Sequence, residues 1–123
     1  MTWVGSKVGG AGNPAARFQV RPSEALAAIV ASTFSVSRDA IGGRRRGPAQ
    51  TAFARQVAIY LSHTRLGLTY AEAGACFGRD RTTAAYACRK VEERRDDPRI
   101  DAVVDLLERA IDVCPGLAEA GSR

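Results

Sequence analysis

The sequence predicts an all-α fold, a compact helical domain containing a helix-turn-helix, and three observations carry that reading. Apolar residues recur at three- and four-residue intervals in successive segments. Residue types that start and stop helices punctuate those segments at their ends. No run alternates with the two-residue period of a strand.

Taken in order, Ser23 is placed to cap a first helix whose Leu26, Ile29, Val30 and Phe34 share one face. Ser37 is placed to cap a short turn from Arg38 to Ile41, closed by Gly42-Gly43. A long helix runs from about Ala49 to Leu66, with Phe53, Val57, Tyr60, Leu61 and Thr64 along one side and Gly67 at its stop. Thr69 and Glu72 have the spacing of a capping box, in which each satisfies the other's free backbone N–H. The short helix they open ends at Phe77-Gly78. Asp80 then caps a helix from Arg81 to about Arg95, with Ala84, Ala87, Cys88 and Val91 as its apolar stripe. Asp97-Pro98 supplies a cap and a first-turn proline for a last amphipathic helix carrying Ile100, Val103, Val104, Leu107 and Ile111.

These elements divide the chain into a flexible arm (1–21), one ordered domain (22–114) and a flexible tail (115–123). The arm holds Gly5, Gly9, Gly10, Gly12 and Pro14, with Trp3 as a candidate docking residue. A length of 123 residues with 46% hydrophobic content suits one modest core. Cys76, Cys88 and Cys114 form no C-x-x-C pair, and His63 alone cannot complete a zinc site. Cys76 and Cys88 read as reduced core residues. No cofactor or metal is expected. Neither a signal peptide nor a membrane span is evident, so a cytoplasmic, nucleoid-associated location and no membrane partner are expected.

Charge is unevenly spread. The chain carries +5, but residues 38–99 hold thirteen Arg/Lys against seven Asp/Glu, whereas residues 100–123 carry −3. A positive patch around a helix-turn-helix favours a polyanion such as nucleic acid. With the stripe of the second helix facing inward, its other side presents Arg81, Thr82, Thr83, Tyr86, Arg89 and Lys90. Its first turn, Arg79 to Thr83 with Asp80 included, would enter a major groove. Arg81 can donate twice to guanine O6 and N7, and the threonines can bond a base edge or touch a thymine methyl. The basic loop Arg44-Arg45-Arg46 can reach a minor groove, where narrow A·T-rich sequence concentrates negative potential. Arg55 and Gln56 fall on the long helix away from Phe53 and Val57, where they could hold phosphates.

Three strings make the pattern specific: Ala54-Arg55-Gln56-Val57-Ala58-Ile59-Tyr60-Leu61, Phe77-Gly78-Arg79-Asp80-Arg81-Thr82-Thr83 and Ala87-Cys88-Arg89-Lys90-Val91-Glu92. Over residues 24–112 the chain resembles the C-terminal DNA-binding domain of the bacterial chromosomal replication initiator DnaA. That family's signature runs Gly-Gly-Arg-Asp-His-Thr-Thr followed by Ala-Cys-Arg-Lys-Ile. The resemblance implies that Arg45 and Arg46 enter the minor groove and that Asp80, Arg81, Thr82 and Thr83 read DnaA-box bases. It also implies that Arg55 and Gln56 support backbone binding. Two departures fall at the base-reading end: the turn has one glycine where the signature has two, and Arg81 replaces histidine. Both imply a site related to, but not identical with, the ordinary DnaA box.

No G-x-x-x-x-G-K-[ST] phosphate loop occurs in these 123 residues, so a DNA-binding domain without the initiator's ATPase module is expected. The leading expectation is a small regulator that binds double-stranded DNA at DnaA-box-like sites, acting on replication initiation or transcription. The alternative is a protein-interaction module that binds replication-initiation proteins through the same fold. An enzyme or a small-molecule substrate is not expected, because one histidine and no recognisable carboxylate pair or cofactor loop offer little chemistry.

Overall fold

The structure, a computed structural model, describes residues 21–43, 49–114 and 116–117. The expected arm, the Arg44–Arg46 loop and most of the tail lie outside the described residues. Those residues form six helices and no strand: α1 (Pro22–Phe34), α2 (Arg38–Ile41), α3 (Ala49–Thr64), α4 (Tyr70–Ala75), α5 (Arg81–Arg94) and α6 (Pro98–Asp112).

Local signals account for most of the boundaries. The Ser37 hydroxyl accepts from Ala40 N at 3.0 Å. Thr69 and Glu72 close the full capping box, at 3.0 and 2.9 Å. Asp80 accepts from Thr83 N, and Asp97 from Arg99 N. At α1 the expected cap is corrected. Helix α1 begins on Pro22, with Arg21 at the cap position and no side-chain cap bond, so Ser23 already lies inside the helix. Proline's fixed φ suits the first helical position and needs no N–H partner there, which moves the start forward. At the other end of α1, Ser35 adopts φ 57°, a left-handed conformation usually left to glycine.

Helix α3 is the post around which the rest is built. It packs against α1, α2, α4 and α5. Burial therefore runs almost continuously from Thr51 to Ser62, only Ala52 and Gln56 being partly exposed, rather than along one stripe. Thr64, expected on the inner face, is exposed because the helix ends there. Phe53 meets Phe34 of α1 edge to face at 5.7 Å, and the Arg94 guanidinium of α5 lies 4.1 Å from the Phe53 ring centroid. These contacts combine a large apolar area with favourable ring electrostatics.

Between α3 and α4, His63 stacks on Tyr70 at 4.2 Å and donates through Nδ1 to Leu68 O. Helix α6 buries Val104, Leu107 and Ile111 and is held by charge as well. Arg95 donates to Asp101, Glu108 and the Tyr60 hydroxyl, while Arg65 pairs with Glu108 and Asp112. Leu117, which the sequence places in the tail, is buried in the same core.

The cysteines separate by environment, and all three are free thiols. Cys88 is buried on α5, where burial first and Glu92 second push its thiol up to about 11. Cys76 is a correction, since it is exposed. Helix α4 has ended at Ala75, and the turn that carries Phe77 inward leaves Cys76 outside. Because the thiolate is the nucleophile, iodoacetamide at neutral pH should alkylate Cys76 and leave Cys88 unmodified until the protein is unfolded. Peptide mass spectrometry checks this, and labelling of Cys88 in the folded protein would contradict the burial.

Candidate nucleic-acid interface

The two helices of the helix-turn-helix are set by one glycine on each side of their contact. Gly78 takes φ 68°, and the chain doubles back with Gly78 N donating to Ala75 O and Arg79 N to Gly74 O. This pair of bonds satisfies the last carbonyls of α4 around one left-handed residue. A single glycine thus closes the turn. Gly74 makes the close approach. A Cβ there would lie 2.7 Å from Arg79 O, 2.9 Å from Asp80 O and 3.2 Å from the Ala84 Cβ. The start of α5 rests directly on the α4 backbone.

Asp80 fixes the first turn of α5. Its carboxylate is held below the ordinary range by hydrogen bonds, chiefly from the Thr83 backbone N–H, so it is ionised at neutral pH. A depressed folded pKa means that this contribution is present at neutral pH and is lost only as pH falls below the ordinary carboxylate range. Arg81, Thr82 and Thr83 are all exposed just beyond this cap. Tyr86 is 47% exposed, with the Arg89 and Lys90 cations 6.0 and 5.9 Å from its ring centroid. Lys90 also meets Glu93 one turn along at 3.7 Å.

A groove runs between α3 and α5. Arg55 and Gln56 line it from α3, facing Arg79, Thr82, Thr83, Tyr86 and Arg89 across it. Seven of the thirteen residues singled out from the sequence therefore converge on one cleft. Among the described residues, no carboxylate lines it. Asp80, Arg81 and Lys90 are not among its lining residues, and Arg44, Arg45 and Arg46 lie outside the described residues.

Two of the seven sit differently from the sequence reading. Arg55, expected on an open face, is only 6% exposed. Its Nε donates to Ile41 O at 2.6 Å and its Nη2 to Ala40 O at 2.8 Å. The face of α3 away from Phe53 is covered by α2, and the guanidinium supplies the donors that the end of that four-residue helix needs. Desolvation, then the nearby Arg79 charge, lowers the Arg55 pKa. Arg79 donates through Nη1 to Phe77 O at 2.9 Å and through Nη2 to Gly43 O at 2.8 Å. Sequence reasoning had no signal for the bonds to Ala40, Ile41 and Gly43, because those partners are 14 to 36 residues away. The Arg94–Phe53 and Arg95–Glu108 contacts were equally hidden, and Gly74 showed only as an ordinary helical glycine.

Residues 23–91 match the family model described as the bacterial dnaA protein helix-turn-helix. The chain belongs to that family. It is a DNA-binding helix-turn-helix domain of the DnaA type, and the match covers α1 to most of α5. Among curated proteins it is 33% identical over 90 residues to a chromosomal replication initiator protein DnaA of Treponema pallidum, covering 72% of this chain and 19% of that protein. It is 39% identical over 90 residues to the DnaA of Rhizobium johnstonii, covering 72% and 18%. The Lactococcus lactis DnaA is 33% identical over 82 residues, covering 65% and 18%. The chain thus spans less than a fifth of the length of these relatives. Among the described residues, no helix is long and apolar enough to cross a membrane, and no group of three His, Cys, Asp or Glu is placed to hold a metal.

Gly74→Ala should cost about 1–3 kcal/mol, since neither carbonyl can retreat without moving α5. Gly42→Ala, where a Cβ meets open space, should cost much less. Urea denaturation of both variants checks the pair, and equal losses would refute the close-approach account.

Proposed function

We propose that this protein binds double-stranded DNA sequence-specifically at DnaA-box-like sites and so regulates replication initiation or transcription. The observation that carries the reading is the groove lined by Arg55, Arg79 and Arg89, with no carboxylate among its described residues, beside the exposed N-terminal turn of α5. Guanidinium groups gathered along one groove favour an anionic ligand. A helix that presents Arg81, Thr82 and Thr83 at its entering end has the donors and acceptors that a major groove reads.

Arg81 is the base-reading arginine of the turn, because Arg79 is committed to backbone carbonyls and Arg81 is exposed. It selects guanine through a two-pronged contact. Thr82 and Thr83 read the neighbouring base edges, and Tyr86 packs beside them. Asp80 sets the helix start. Gln56, Arg89 and Lys90 hold phosphates, with the edge of Arg55 that lines the groove. Arg44, Arg45 and Arg46 enter the adjoining minor groove. The relatives bear the name of replication initiators, which favours a role at initiation sites and contact with replication-initiation proteins there.

Footprinting on DnaA-box DNA against scrambled DNA tests the reading directly; equal protection of both would refute sequence-specific binding. Neutralising about five phosphates should give a log–log dependence on salt with a slope of roughly −4.5. Salt-independent binding would remove the electrostatic basis. Arg81→Ala should cost about 1–3 kcal/mol on the preferred site and much less on random DNA. An unchanged specificity ratio would place base reading elsewhere.

A further inference from the structure

We propose that Arg79 is a positioning residue that sets the recognition turn against the corner before α3, rather than a contact to DNA. The inference rests on the DNA-binding reading above and assigns the division of labour within that site. Its side chain links its own turn to a residue 36 positions away: Nη2 donates to Gly43 O at 2.8 Å and Nη1 to Phe77 O at 2.9 Å. Its own backbone N–H closes the turn on Gly74 O, and its carbonyl would be the first atom struck by a Cβ on Gly74. Arg79 is thus fixed at its backbone and at both ends of its guanidinium fork.

The corner it reaches is held from the other side as well. Arg55 donates to Ala40 O and Ile41 O, so two guanidinium groups bind three carbonyls of the four-residue stretch 40–43. The two cations repel each other, which contributes to the lowered Arg55 pKa. That repulsion is tolerated because the charge-assisted bonds to carbonyls offset it. The residues after Gly43 are the arginine run Arg44–Arg46. Arg79 therefore ties the segment leading into that run to the residue immediately before Asp80 and Arg81. Register between the two is set by one planar, two-pronged side chain. Lysine carries the same charge but has no fork with which to hold both carbonyls.

The test uses Arg79→Lys and Arg79→Gln in the full chain. Without DNA, the amide NMR signals of Gly42, Gly43 and Gly78 should shift in both variants while the remaining spectrum stays folded. With DNA, both variants should lose about tenfold affinity for the preferred site and less than about twofold for random DNA. The salt slope of Arg79→Gln should equal that of the wild type, because no phosphate contact is lost. Unmoved glycine signals would overturn the inference, as would full rescue by Arg79→Lys. So would a uniform loss in Arg79→Gln with a slope shallower by about one, which is the mark of a direct phosphate contact. A wild-type chain that binds no DNA would refute the functional reading instead, while the NMR arm would still decide whether Arg79 sets the corner. If Arg79→Gln is unfolded, Arg79→Lys alone decides through the same two readouts.

Discussion

A buried guanidinium must be hydrogen-bonded, and most of the architecture near the site follows from how Arg55 meets that demand. Helix α2 has four residues and few donors for its closing carbonyls: Ala40 O takes the Gly43 N–H, and Ile41 O has no backbone donor among the described residues. Arg55 needs acceptors and the end of α2 needs donors, and the two needs cancel at 2.6 and 2.8 Å. The consequence is a fixed corner between α2 and α3. With the corner fixed, α3 can be covered on that side, and burial passes around the helix instead of down one stripe. Removing the guanidinium would take a donor from both carbonyls at once, so the arrangement holds as a unit.

The helix-turn-helix is economical in a similar sense. Its geometry depends on the absence of two side-chain carbons, at Gly78 because of a left-handed backbone and at Gly74 because of contact. The signature of the family carries a second turn glycine, which this chain lacks. The hydrogen bonds from Gly78 and Arg79 back to α4 show that one left-handed residue suffices to close the turn. The first turn of α5 therefore departs from the family signature at Arg81 in side-chain chemistry, after a turn closed by the bonds of Gly78 and Arg79.

Features decided within about four residues were legible in the sequence. The capping box at Thr69 and Glu72, the caps at Ser37, Asp80 and Asp97, and the glycine stops are all local, and the structure has each of them. The inner stripes of α5 and α6 were legible for the same reason, since helical period alone brings Ala84, Ala87, Cys88 and Val91 together. The misses are all tertiary or terminal. The sequence leaves Arg55 on an open face because nothing near it in the chain says that α2 will cover it. Arg79 looks like one more cation of a basic helix start until Gly43 is brought beside it. Cys76 fits a helical spacing, but the helix ends one residue before it. Ser23 is a good cap in isolation, and Pro22 overrides it.

The charge network of α6 bears on how the molecule moves as well as on how it stands. Asp101, Glu108 and Asp112 gather around Arg65 and Arg95, just past the C-terminal ends of α3 and α5, whereas Arg79 and Arg81 lie at the start of α5. Fourteen residues of helix set these two regions about 20 Å apart. Among the described residues, the separation gives a dipole aligned roughly with α5. A polyanion exerts a torque on such a dipole before any contact forms, turning the cationic end forward and the acidic end away. On the DNA-binding role proposed above, encounters then begin with the start of α5 forward, and fewer collisions are spent on rotational search.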